Sequence, residues 1–271
     1  MLKMLYWSLR LDHQLLFHVS GLPLCRKLSL VLKKYALYCF GMARTVAGKA
    51  KSFMVFGSRF WYNEPLAPAS IERVYCSSHH LLGLLQERPV VVDVGANIGQ
   101  FNLFARQYLG ARRVVSIEPD PGSFELLRRN AALSSDCLCC AVSDRDGEVL
   151  FHVASESSQL SSYLTQPDAG YRSSYKVPAR TLDAIVDELG VGEVDLLKID
   201  TEGSELDVLK SAEELLARTR YVLVEMSVFR RSTGNLFQIG TFLEARGFVL
   251  ARLSASDEGR PRDVDGLFKR V

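Results

Sequence analysis

The 271-residue chain is 48% apolar and 24% charged, enough to bury a large core in one α/β domain with an appendage. Six cysteines over this length exclude a disulfide framework, and Cys137, Cys139 and Cys140 lack the second ligand pair of a zinc site; they read as small buried hydrophobes of a reduced, cytoplasmic protein. The net charge of +2 hides an asymmetry: residues 1–60 hold ten Lys or Arg against Asp12 alone, a net +9, while the rest carry 23 basic and 30 acidic side chains, a net −7.

In chain order, segments 1–17 and 28–40 read as basic amphipathic helices. Arg10, Asp12, Arg26, Lys27, Lys33 and Lys34 keep them short of the ~20 apolar residues a membrane span needs, and no secretory h-region is present. Three readings stay open for this extension: peripheral contact with an anionic membrane, packing on the main domain or a second subunit, and a mitochondrial targeting segment. Gly57-Ser58, Pro65 and Pro68 mark the change to the main domain, dividing a helical extension over 1–62 from an α/β domain over 63–271. His79 and His80 follow in a helix-like stretch, where one is a candidate base and a solvated or capping role is the alternative.

Residues 90–99, Val-Val-Val-Asp-Val-Gly-Ala-Asn-Ile-Gly, form an apolar run that stops at a carboxylate and a glycine-bounded turn. That pattern fits a buried parallel strand meeting a ligand at its carboxyl end, with Asp93 beneath the ligand and Gly95 and Gly99 admitting close backbone approach. Asn97 stands where a dinucleotide fingerprint has its middle glycine, which disfavours a pyrophosphate, and no G-K-[ST] follows to make a P-loop. Glu118 ends a second strand, 113–117, where an acid can accept hydrogen bonds from a ribose diol. S-adenosylmethionine fits what remains, an adenosine for Glu118 and a zwitterionic tail for the turn; a strand-turn-helix without cofactor is the alternative.

Beyond it the spacing predicts helices over 98–109 and 121–132, a strand over 137–143, an extended piece from Gly147 to Val153, and a mobile loop over 154–176. Thr181 reads as the N-cap of a helix over 182–189. The strand Val194–Asp200 ends in a carboxylate, with Thr201–Glu205 opening a helix; the strand Tyr221–Glu225 also ends in one. A helix over 236–246 and strands near 247–253 and 266–271 close the chain. Such alternation implies an α/β, doubly wound Rossmann-like sheet of about seven strands, the last antiparallel.

Asp93-Val-Gly-Ala-Asn-Ile-Gly99, Ile117-Glu-Pro119, Ala141-Val-Ser-Asp144, Thr181-Leu-Asp183 and Lys198-Ile-Asp-Thr-Glu-Gly-Ser-Glu205 occur in this order and spacing. Over about residues 88–251 they resemble the FkbM family of S-adenosylmethionine-dependent methyltransferases. The resemblance implies O-methylation of a sugar, glycolipid or natural-product hydroxyl.

An alcohol is a poor nucleophile while protonated, so a base beside it helps. Asp200 is the first candidate for base or orienting group, with Glu202 and Glu225 beside it; Glu202, in a first helical turn, is held ionised by the helix dipole and suits orientation. The bland alternatives are a helix cap for Asp200, a solvated helix position for Glu205, and pairing of Glu225 with Arg230 or Lys198. Ser143 and Asp144 are candidates for the adenine amino group, or turn residues. Three acids near one crevice can bind a divalent cation, but a clear ligand set is lacking and no metal is expected. A nucleic-acid methyltransferase using the basic arm is disfavoured by the acidic main domain and the absence of an N-P-P-Y strand end. A non-catalytic module of the same fold is the remaining alternative.

Overall fold

A computed structural model of the chain describes residues 2–39, 50–63, 67–131, 135–154, 171–228, 234–255 and 263–271. Two helices, α1 (Leu2–Phe17) and α2 (Leu24–Cys39), are followed by a hairpin of β1 (Lys51–Val55) and β2 (Ser58–Tyr62) and by α3 (Ala67–Ser78). The hairpin turns at Phe56-Gly57, both with the positive φ of a tight turn, so Gly57-Ser58 lies within the hairpin.

The alternating unit then begins: β3 (Val90–Val94), α4 (Gln100–Gln107), β4 (Arg113–Ile117), α5 (Pro121–Asn130) and β5 (Ser135–Leu138). A separate three-stranded sheet follows, made of β6 (Ala141–Val142), β7 (Gly147–Ala154) and β8 (Tyr171–Arg180) in the order β6-β8-β7. The chain closes through α6 (Leu182–Glu188), β9 (Val194–Ile199), α7 (Glu205–Lys210), α8 (Glu213–Ala217), β10 (Thr219–Ser227), α9 (Leu236–Glu244), β11 (Phe248–Ala255) and β12 (Asp263–Arg270).

The main sheet has seven strands in the order β11-β12-β10-β9-β3-β4-β5. Strands β5, β4, β3, β9 and β10 pair in parallel, and the last strand, β12, runs antiparallel between β10 and β11. The expected doubly wound sheet of seven strands is therefore present. Its two faces bury separate cores, as alternation along a strand requires. Val90, Val92 and Val94 face α6, α8 and α9, while Val91 faces α3, α4 and the N-terminal helices.

Two expectations need correction. Residues 137–143 are not one strand: the chain leaves the main sheet after Leu138, and Ala141–Val142 pairs with β8 in the small sheet. The loop expected over 154–176 ends earlier, because Tyr171–Arg180 pairs antiparallel with β7; residues 155–170 lie outside the described residues. The strand escaped notice because its Ser, Tyr and Lys positions are mostly exposed and leave little apolar alternation to read.

Residues 1–62 share a core with the main sheet. Leu15, Val19, Leu30, Leu37, Phe60 and Tyr62 are buried in the cluster that holds Phe104, Leu196 and Leu223. Lys34 is fully buried and donates to Asp12 at 2.6 Å and to Glu72 of α3 at 2.7 Å. No helix among the described residues is long and apolar enough to cross a membrane.

Candidate active site

The turn after β3 is pinned by its neighbours. The N–H groups of Gly95 and Ala96 donate to the carbonyl of Ile117 at the end of β4, each at 3.0 Å. Gly95 has φ +81°, and a Cβ there would stand 1.8 Å from the Asp200 carbonyl oxygen. Gly99 has φ +93°, and its Cβ would meet Leu127 of α5 at 3.0 Å. The space a Cβ would take at each glycine is thus filled by protein, the Asp200 peptide after β9 at Gly95 and α5 at Gly99, while Gly95 also lines the cleft.

Glu118 is buried at the lip of this turn. Its Oε2 accepts from the Asn97 N–H at 2.8 Å and its Oε1 from the Asp120 N–H at 2.9 Å. Burial pushes its carboxyl up to about 8, outweighing the two N–H donors. Asp120 caps α5 through the Ser123 N–H and also accepts from the Tyr175 hydroxyl of β8, which ties the small sheet to the end of β4. Phe151 of that sheet lines the cleft beside Cys140, Ala141 and Val142. Ser143 and Asp144 are not among the lining residues: Ser143 is buried and Asp144 is exposed beside Arg145. Of the three cysteines expected in a buried strand, only Cys140 is buried; Cys137 and Cys139 are partly exposed.

On the opposite lip stand the acids of β9 and β10. Lys198 reaches Asp93 at 3.2 Å and Asp200 at 3.3 Å, with its ammonium over the Phe101 ring. Burial alone would lower its pKa, but Asp93 and Asp200 together hold it well above the ordinary lysine value. Oxygens of Asp200, Glu202 and Glu225 lie within 4.8 Å of one another, the one group among the described residues able to hold a divalent cation. Glu225 faces Asp265 across the β10–β12 ladder, like charge opposite like charge. Burial first, then Asp200, Glu202, Asp265 and Asp263, raise the Glu225 carboxyl well above its ordinary value. Burial and Asp200 push Asp265 up to about 6, with Arg73 and Lys198 opposing.

Glu202 is not in a first helical turn. It lies ahead of α7 with φ +56°, so the dipole argument does not apply to it. Glu205, for which a solvated helix position is the bland alternative, is buried and shapes this turn, accepting from the Thr201 N–H at 3.1 Å and the Gly203 N–H at 2.7 Å. Thr181 stands at the N-cap of α6 without a side-chain bond; Asp183 instead caps α8 through the Glu214 and Leu215 N–H groups. Lys198 pairs with Asp93 and Asp200 rather than Glu225, and Arg230 lies outside the described residues. Neither His79 nor His80 lines the cleft: His79 Nδ1 bonds the Cys76 carbonyl at 2.9 Å, and burial lowers His80 to about 4.

Among the cleft residues that sequence reasoning did not assign to the site are Lys198, Asp265 and Arg73. Lys198 carries a signal, since a cation inside an apolar strand needs a buried partner. Asp265 is marked by the Asp-Val-Asp alternation on β12. Arg73 of α3 lines the cleft with Ser70, Ser77 and Ser78, and nothing in its local sequence sets it apart.

A family model described as the methyltransferase FkbM domain matches residues 93–250, more than half of the chain. Methyltransferase sdnD of Sordaria araneosa is 29% identical over 201 residues, covering 62% of this chain and 76% of the relative. The 2-O-methyltransferase NoeI of Sinorhizobium fredii is 30% identical, covering 51% of this chain and 63% of the relative. The 31-O-demethyl-FK506 methyltransferase FkbM of Streptomyces tacrolimicus is 29% identical, covering 61% and 75%. The family match begins at Asp93 in β3, just ahead of the pinned turn, and runs on through the strand-end acids, and on that ground the chain belongs to the FkbM methyltransferase family.

Proposed function

We propose that the protein moves a methyl group from S-adenosylmethionine to a hydroxyl of a sugar, glycolipid or natural-product acceptor. The observation that carries this reading is the facing of two lips: Glu118 with the 95–99 turn on one side, and Asp200, Glu202 and Glu225 on the other. The donor set suits the cofactor. Each Glu118 oxygen accepts one backbone N–H and has a lone pair to spare, and Ile117, Pro119, Ala141, Val142 and Phe151 offer apolar walls for a purine. When bound, S-adenosylmethionine supplies an electrophilic methyl on a sulfonium.

This chain's residues supply the rest. Asp200, neutralised in part by Lys198, orients the acceptor hydroxyl. Glu225 takes its proton, because a carboxylate with a raised pKa is the stronger base. Glu202 holds a neighbouring acceptor hydroxyl. Ser70, Arg73, Ser77 and Ser78 on α3 give the far wall the hydrogen-bonding character a polyhydroxylated acceptor requires. Two relatives whose names specify O-methylation support the hydroxyl assignment. The cysteines, free in all five described cases, suit a cytoplasmic setting. The test is product-mass screening of lipid-linked sugars, glycans and secondary metabolites with labelled cofactor, beside calorimetry of cofactor binding. Absence of S-adenosylmethionine binding would overturn the cofactor assignment, and turnover persisting in Asp200→Ala combined with Glu225→Gln would overturn the roles.

A further inference from the structure

The α1–α2 hairpin sorts the charges of the N-terminal extension. Contacts of Ser8 with Tyr35, Asp12 with Lys34 and the Leu16 carbonyl with Lys27 set the two helices side by side and antiparallel. Lys27 and Lys34 are spent inside, and so is Asp12, the one acid of residues 1–60. The outward charge of this hairpin is therefore of one sign: Arg26 is exposed, and Arg10 and Lys33 are partly so.

Between these flanking cations the outer side of the hairpin is apolar. Leu24, Leu28 and Leu32 recur at every fourth residue of α2, a single stripe, and Leu24 and Leu32 are 61% and 68% exposed. On α1, Tyr6, Leu9 and Phe17 stand out likewise, Phe17 being 73% exposed. Single exposed leucines need no account, but a stripe on each of two adjacent helices does. We propose that this outer side docks on an anionic lipid bilayer, its leucines entering the acyl boundary and its Arg and Lys meeting the phosphates.

The charge excludes the simplest competitor. An isologous dimer through this face would bring two positively charged hairpins together with no exposed carboxylate among the described residues of the extension to offset them. Nucleic acid would use the cations and leave the leucine stripe in water. Docking would set α1 and α2 between the bilayer and α3, whose other side lines the cleft. The inference stands apart from the methyl-transfer reading, as it concerns only the far side of α3.

Sedimentation of the full chain with vesicles tests it. With about 30 mol% phosphatidylserine in phosphatidylcholine at about 0.1 M salt, the protein pellets, at least about tenfold more tightly than with phosphatidylcholine alone, and loses binding at about 0.5 M salt. Leu28→Ser with Leu32→Ser, and separately Arg26→Glu with Lys33→Glu, each weaken partitioning about tenfold or more while the melting temperature holds, these side chains being at the surface. No pelleting at low salt, equal binding to neutral vesicles, or binding that neither pair alters overturns the proposal. So does a concentration-dependent dimer in ultracentrifugation that the leucine pair abolishes.

Discussion

Lys34 and Lys198 are each clamped between two carboxylates, one clamp joining the N-terminal helices to α3, the other joining β3 to β9. They differ in what they leave over. Around Lys34 all three groups are sealed, with Asp12 at 9% exposure and the other two at 0%. Around Lys198 the inner acid, Asp93, is fully buried, whereas Asp200 is 41% exposed and turns toward Glu202 and Glu225. A sealed triad can do little beyond holding helices together. An open one presents a partly compensated carboxylate to whatever enters the cleft, and that is where chemistry is expected.

Turnover is the first way to break this contrast. Asp200→Ala and Glu225→Gln should each lower kcat by about 10²–10⁴ with cofactor affinity held within about threefold. If calorimetry showed cofactor binding lost while kcat survived, the open triad would be as structural as the sealed one. Lys34→Met strands two buried acids and should cost roughly 3–5 kcal/mol in urea denaturation, with kcat of the folded protein unchanged. A drop in kcat at constant stability would give the sealed triad a part in catalysis.

Glu118→Ala removes the proposed ribose acceptor and should weaken S-adenosylmethionine binding by roughly 1.5–3 kcal/mol. The pH dependence follows from the raised carboxyls. Glu225 becomes a base only above its elevated pKa, so kcat/KM rises with pH beyond the ordinary carboxylate range, a limb absent in Glu225→Gln. For stability the sign is opposite. The folded chain holds the Asp265 proton to about 6 while the unfolded chain releases it near 3.8, so this contribution is present at low pH and fades as pH rises between those values. Urea midpoints of Asp265→Asn should lack that decline. The smallest effect concerns metal: EDTA should alter turnover by less than about twofold, because Lys198 already compensates Asp200, and a larger loss restored by magnesium would reassign the acids to a cation.

The parts legible from sequence are those where one local pattern has one physical solution. A run of three valines closed by Asp-Val-Gly reads as a buried strand, and β3 is buried at every position. Glu118 was placed by its strand end, and its bonds to Asn97 and Asp120 lie there. Where tertiary contacts decide, local reading failed. Lys34 looks like an interruption of an apolar helix until Glu72, 38 residues away, is seen to receive it. Glu202 and Glu205 share one segment, and Glu205 folding back onto the N–H groups of Thr201 and Gly203 pushes the helix start beyond Glu202. No periodicity encodes that exchange.

The missing Cβ of Gly95 has one more consequence. The backbone of the turn touches the Asp200 peptide, and the Asp200 N–H in turn bonds the Val94 carbonyl at 3.0 Å. At the base of the cleft the segments that carry its two lips thus meet main chain to main chain. If a ligand on one lip shifts this shared backbone, occupancy on one side should alter affinity on the other, and by linkage equally in both directions. The two substrates of this enzyme are thermodynamic neighbours, and a titration of either should carry the imprint of its companion.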